Sequence, residues 1–122
     1  MDVSTQDSLY ARIGGRPAVT AAVDALYRVV PADDRLAGYF AAVDLAQLKE
    51  HMTALLSQLL GGPERYAGRD LRVAHLGLGI TAAHYDLVGA YLLGVLAGGG
   101  AGDEVLEAVR RTLAAAAPDI VG

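Results

Sequence analysis

Apolar residues recur at the helical interval in every long stretch of this chain, and every stretch is cut off by glycine or proline. That combination restricts the fold to the all-α class, because no run shows the strict alternation of a half-buried strand. Leu9 to Ile13 makes a short first segment that ends at Gly14-Gly15. Pro17 suits the first turn of a second helix, whose Val19, Val23, Leu26 and Val30 fall on one face and which Pro31 should stop. From Pro31 to Val43 the chain reads as a turn over Asp33-Asp34 and then a short helical corner carrying Leu36, Tyr39 and Phe40.

Asp44 and Gln47 have the spacing of a capping box and open the strongest helix, with the stripe Leu45, Leu48, Met52, Leu55, Leu56 and Leu59. Gly61-Gly62-Pro63 ends it, and 64–70 is an ordered loop. A short segment around His75, limited by Gly77 and Gly79, precedes Thr81, which can cap a long helix with Leu87, Val88, Tyr91, Leu92 and Val95 on its apolar face. Gly98 to Gly102 form a flexible hinge. The last helix, Asp103 to about Ala116, turns Val105, Leu106, Val109 and Leu113 inward, with Arg110 and Arg111 outward near an end where positive charge suits the helix dipole.

The 122 residues suit one domain, of which 1–8 read as a flexible N-terminal segment. Hydrophobic residues make up 53% of the chain, a share expected either of an Ala-rich core or of a core that also lines a pocket. The net charge is −4, and nine Arg and one Lys are scattered, so neither a nucleic-acid backbone nor an anionic membrane is matched. Without cysteine there is no disulfide, iron–sulfur cluster, cysteine zinc site or thiol nucleophile. No secretory signal and no apolar run of membrane-spanning length is seen, which makes a soluble cytoplasmic protein the default.

The chemistry therefore falls to histidine and tyrosine. His75 and His51 are placed so that two imidazoles could face each other across a flat metal cofactor, and one protein histidine suffices for the proximal bond of a haem iron. Each histidine also has a plain reading: His51 as a half-exposed residue flanking the apolar stripe, His75 as a structural residue. His84 shares a face with Val88 and Tyr91, and spacing alone does not separate it from His75 as a ligand. No carboxylate pair flanks a histidine at chelating spacing, which argues against a mononuclear zinc enzyme. Tyr27 lies on the inward face of its helix, either bonded to a backbone carbonyl or aimed as a donor into a ligand pocket. No serine sits in a nucleophile elbow, and the glycine pairs lack the Lys and Ser/Thr of a phosphate loop, so hydrolase and nucleotide-binding readings fall away.

In their order, several pieces of the chain resemble the truncated haemoglobins of group I. They are Leu9-Tyr10 with Ile13-Gly14-Gly15, Leu26-Tyr27, Leu36 through Tyr39-Phe40, Leu60-Gly61-Gly62-Pro63 with Tyr66, and His75-Leu76-Gly77-Leu78-Gly79-Ile80-Thr81. The resemblance implies a two-over-two helical sandwich around haem b, with His75 as proximal ligand, Phe40 against the porphyrin and Tyr27 as donor to bound O₂. It places Leu48 and Met52 on the distal helix facing the iron and Arg72 by a haem propionate, while Lys49, Tyr66, Ile80 and Val88 complete the cofactor lining. Met52 stands where members of the group often have glutamine, and Leu48 is also apolar, which leaves Tyr27 nearly alone as distal donor. His51 matches the position from which, in some cyanobacterial relatives, a histidine binds the iron as sixth ligand. The last helix has no histidine, so the covalent haem link of some relatives is not available.

The function implied by the resemblance is that of a bacterial, cytoplasmic globin, monomeric or weakly dimeric, that binds O₂, CO and NO and oxidises NO to nitrate with the help of a reductase. A second hypothesis is a bis-histidyl haem protein, held by His51 and His75, for electron transfer or redox response. A third is a helical interaction module with no cofactor.

Overall fold

A computed structural model describes residues 8–41, 43–62 and 79–121. Among these, the chain forms the helices α1 (Leu9–Ile13), α2 (Gly15–Val29), α3 (Leu45–Leu59), α4 (Ala82–Gly98) and α5 (Asp103–Ile120), with a 3-10 helix at Ala37–Phe40 and no strand. Their starts follow the sequence signals. The side chains of Ser8, Asp44 and Thr81 accept hydrogen bonds from Ala11, Gln47 and His84 backbone N–H at 3.1, 3.2 and 3.1 Å, each satisfying a donor the helix cannot satisfy itself. Ser8 thus belongs to the folded body and not to a flexible segment. Gly14 sits at φ +118° between α1 and α2, a left-handed conformation that glycine adopts without the steric cost of a Cβ.

α2 lies against α3, α4 lies against α5, and α2 also packs on α4, giving two helix pairs layered on each other. The core runs between the layers. Val19, Val23, Leu26 and Val30 from α2 and its end, with Leu36, Leu56 and Leu60, are at most 2% exposed, and Leu92, Leu96, Val105 and Val109 join them from the second pair. Ties between elements are polar: Arg12 pairs with Glu104, joining α1 to α5, and the Tyr85 hydroxyl donates to the Leu113 carbonyl at 2.5 Å, joining α4 to α5.

Two expectations need correction. α5 does not end near Ala116 but continues through Pro118 to Ile120. The alanines 114–117 are strong helix formers, and a proline in the last turn removes only one internal hydrogen bond close to the end. Arg110 and Arg111 are consequently in mid-helix and gain nothing from the C-terminal dipole. The dipole is complemented at the other end, where Asp103 and Glu104 occupy the first turn. On α4 the fully buried positions are Gly89, Leu92 and Leu96. Leu87, Val88, Tyr91 and Val95 are only half-buried, because a helix apolar around most of its circumference does not reveal by periodicity which side is covered.

Candidate functional site

α3 carries two distinct faces. Thr53, Leu56, Ser57 and, just past the helix, Leu60 are buried, whereas Leu45, Leu48, Met52, Leu55 and Leu59 are half-buried. On the buried face Thr53 returns its hydroxyl to the Lys49 carbonyl at 2.8 Å, and the fully buried Ser57 hydroxyl has no partner among the described residues. The apolar stripe read from the sequence is therefore mostly the second, half-covered face. Phe40, Ile80 and Val88 are half-buried as well. Further burial of these side chains would be favourable, at about 25 cal/mol for each Å² of apolar surface removed from water. A flat apolar macrocycle would supply that burial.

Tyr27 is the polar group of this region. α2 holds it at the inner end of the Val19-Val23 stripe, 8% exposed, with its ring edge-on to Phe40 at 6.0 Å between centroids and 73° between planes. Burial alone pushes its phenol up to about 12, so it is a neutral donor across the whole physiological range. No hydrogen bond is formed by this phenol among the described residues. Both readings of its hydroxyl, bonded to a backbone carbonyl or aimed as a donor into a ligand pocket, therefore turn on groups beyond the described residues.

The remaining candidates are distributed as follows. Leu48 and Met52 are one turn apart on α3, and His51, beside Met52, is exposed. Lys49 reaches across to α2, its Nζ 3.5 Å from Asp24 Oδ1, an exposed pair of small energetic weight. His75, Tyr66 and Arg72 lie outside the described residues. Among the described residues no group of three or more His, Asp or Glu is placed to hold a metal ion. Any metal on this side would need a ligand beyond them or a prosthetic group to carry it. Two shallow grooves, of about 350 and 310 Å³, open elsewhere, between α2 and the end of α4 and between α4 and α5. Neither is lined by Tyr27, Phe40, Leu48 or Met52.

Two arrangements escaped the sequence. His84 Nδ1 lies 2.6 Å from the Tyr39 hydroxyl, with the two rings edge-to-face at 5.5 Å. Asp33, its side chain 7% exposed, takes two guanidinium bonds from Arg35 at 3.0 and 2.8 Å and one from the Tyr91 hydroxyl at 2.6 Å. These donors, Arg35 first, hold the Asp33 carboxyl well below the usual carboxylate range. Both clusters pin the segment before α3 onto α4. Their partners are 45 and 58 residues apart, so no local spacing announces them.

A family model described as bacterial-like globin matches residues 8–120. The chain is 34% identical over 113 residues to the group 1 truncated hemoglobin GlbN of Mycolicibacterium paratuberculosis, covering 93% of this chain and 83% of that protein. It is 38% identical over 106 residues to the GlbN of a Synechocystis species, covering 84% and 86%. Among solved structures, the truncated hemoglobin of Tetrahymena pyriformis in its Fe(III) form superposes with a TM-score of 0.86 at 30% identity, covering 95% of this chain and 99% of that one. No described helix is long and apolar enough to cross a membrane.

Proposed function

Because this chain belongs to the bacterial-like globins, and within them to the group 1 truncated haemoglobins, we infer that it binds haem b without a covalent link and presents the iron to diatomic gases. The observation that carries this reading is Tyr27: a buried, neutral phenol with no acceptor among the described residues, in edge contact with Phe40 and close to a half-covered apolar face. His75 is the proximal ligand in this reading. Phe40, Leu48, Met52, Ile80 and Val88 supply apolar contact to the macrocycle, with Tyr66 and Lys49 at its margin and Arg72 beside a propionate. Haem supplies an iron at which O₂, CO and NO bind and at which NO and O₂ combine to nitrate, leaving the iron one electron poorer, so that a cellular reductase is the implied protein partner.

The polypeptide's own part is to choose among ligands. A ligand that draws negative charge onto its outer atom is favoured by the Tyr27 hydroxyl, and the low local dielectric strengthens that bond. Burial pushes the phenol up to about 12, so it keeps its proton at physiological pH. Leu48 and Met52 keep water from competing for the hydroxyl and offer no rival donor of comparable strength. His51 supports a second reading, since it is next to Met52 on α3. Swung inward, it would occupy the sixth position and lower the apparent affinity for every external ligand by the fraction of pocket left open. Cytoplasmic location and a monomeric or weakly dimeric state accompany both readings.

Replacing His75 by Ala tests the proximal assignment, with loss of stable haem retention expected. If His84→Ala loses haem instead, the proximal histidine has been misassigned. A chain that stays colourless after expression with ample haem would leave only a helical interaction module. His51→Leu should speed CO binding if His51 coordinates, and an unchanged rate would return it to the solvent face.

A further inference from the structure

The described tyrosines differ in what can take their proton. Tyr10 and Tyr27 offer theirs to no protein acceptor among the described residues. The Tyr85 hydroxyl donates to the Leu113 carbonyl, an oxygen that cannot hold a transferred proton. The Tyr91 hydroxyl donates to Asp33, whose carboxylate is already satisfied by Arg35 and is a weakened base for that reason. Tyr39 alone of these faces an imidazole nitrogen, at 2.6 Å, with its ring edge-to-face against the imidazole and both residues half-buried. Neutral imidazole is a far better proton acceptor than a carbonyl or a carboxylate held by an arginine.

We propose that Tyr39 and His84 form a proton-coupled redox pair, the site among the described tyrosines at which a one-electron oxidant removes an electron. In the step, with His84 in the tautomer whose Nδ1 carries no hydrogen, Tyr39 loses one electron to the oxidant and passes its phenolic proton along the hydrogen bond to His84 Nδ1. A neutral phenoxyl radical and an imidazolium result; an oxidant such as nitrogen dioxide takes the electron and becomes nitrite. Without a base in contact, oxidation of a phenol must pass through a cation radical or wait for proton release to water, and both routes are uphill. Tyr39 is next to Phe40 in the chain, and Phe40 touches Tyr27. Nothing in the step requires a bound cofactor.

The test is flash oxidation of the purified chain with photogenerated tris(bipyridine)ruthenium(III), followed by transient absorption and electron paramagnetic resonance. A phenoxyl signal is expected in the parent chain and is lost in Tyr39→Phe. His84→Phe should slow its appearance by about tenfold or more, the equivalent of about 1.4 kcal/mol of barrier. Trapping the radical with a nitroso compound and mapping peptides of the unaltered chain should place the adduct on Tyr39, a readout independent of whether either variant folds. An undiminished signal in Tyr39→Phe, an adduct on Tyr85 or Tyr91, or an unchanged rate in His84→Phe would each overturn the proposal.

Discussion

Replacing Tyr27 by Phe removes a single oxygen from the centre of the proposed site and leaves its packing in place. The ring keeps its edge contact with Phe40, centroid to centroid at 6.0 Å, and its place against Val23 and Leu26 in the core. Two effects follow. The hydroxyl makes no hydrogen bond among the described residues, so its removal should leave stability without a gaseous ligand nearly unchanged. With O₂ bound, the same oxygen is the donor to a charge-bearing acceptor, worth about 1.5–3 kcal/mol. Its loss should accelerate O₂ release by about 10- to 150-fold. CO, which accumulates little negative charge, should be released at a nearly unchanged rate. Urea melts of the ferric protein and stopped-flow displacement of O₂ measure the two effects separately. A variant that loses stability while releasing O₂ at the parent rate would show that the hydroxyl is a structural group, and the reading of Tyr27 as a ligand donor would be wrong.

Other consequences are equally direct. Ser57→Ala removes a fully buried hydroxyl that has no partner among the described residues, and should raise the thermal midpoint by about 4 °C, corresponding to about 1 kcal/mol; a lower midpoint would mean the hydroxyl is satisfied. Gly62→Ala would set a Cβ 2.6 Å from the ring of Tyr10, whose backbone N–H is held by the Leu60 carbonyl at 2.8 Å, and should cost about 1–3 kcal/mol in a denaturant melt. An unaffected melt would show that Tyr10 can move aside. Asp33 is depressed in the folded state by Arg35 and Tyr91, so the unfolded chain binds the proton more readily. Its contribution is complete above the ordinary value of about 4 and drains away as pH falls below it. Tyr91→Phe should flatten that acid loss in melts taken across this range, and an unaltered slope would remove Tyr91 from the account.

Legibility varied with the range of the interaction. Helix starts depend on one side chain and a backbone three residues on, and Asp44 and Thr81 were readable as caps on that basis, whereas Ser8 was assigned to the N-terminal segment and its cap emerged only from the structure. Gly14 was readable as a break because its φ of +118° suits glycine. Tyr27 was placed inward by its spacing from Val23 and Val30, and the structure buries it at 8% exposure. Periodicity failed where a helix is apolar on more than one side: the stripe on α3 mixes Leu56, 2% exposed, with the half-covered Leu48 and Met52. The end of α5 was misplaced because alanine propensity outlasts the usual stop signals. The Tyr39–His84 and Asp33–Tyr91 contacts had no signal in one sequence, since chain folding alone brings them together.

The central claim is that this globin holds haem through His75 and leaves the opposite side of the iron to gases under the control of Tyr27. One set of ultraviolet–visible spectra, of the ferric, ferrous and CO-bound protein, tests it most directly. The account predicts a red protein whose ferrous form is five-coordinate and high-spin, and which converts fully to the CO complex. A six-coordinate, low-spin ferrous spectrum without added ligand would contradict it in favour of His51 on the iron, and a colourless protein would contradict it altogether.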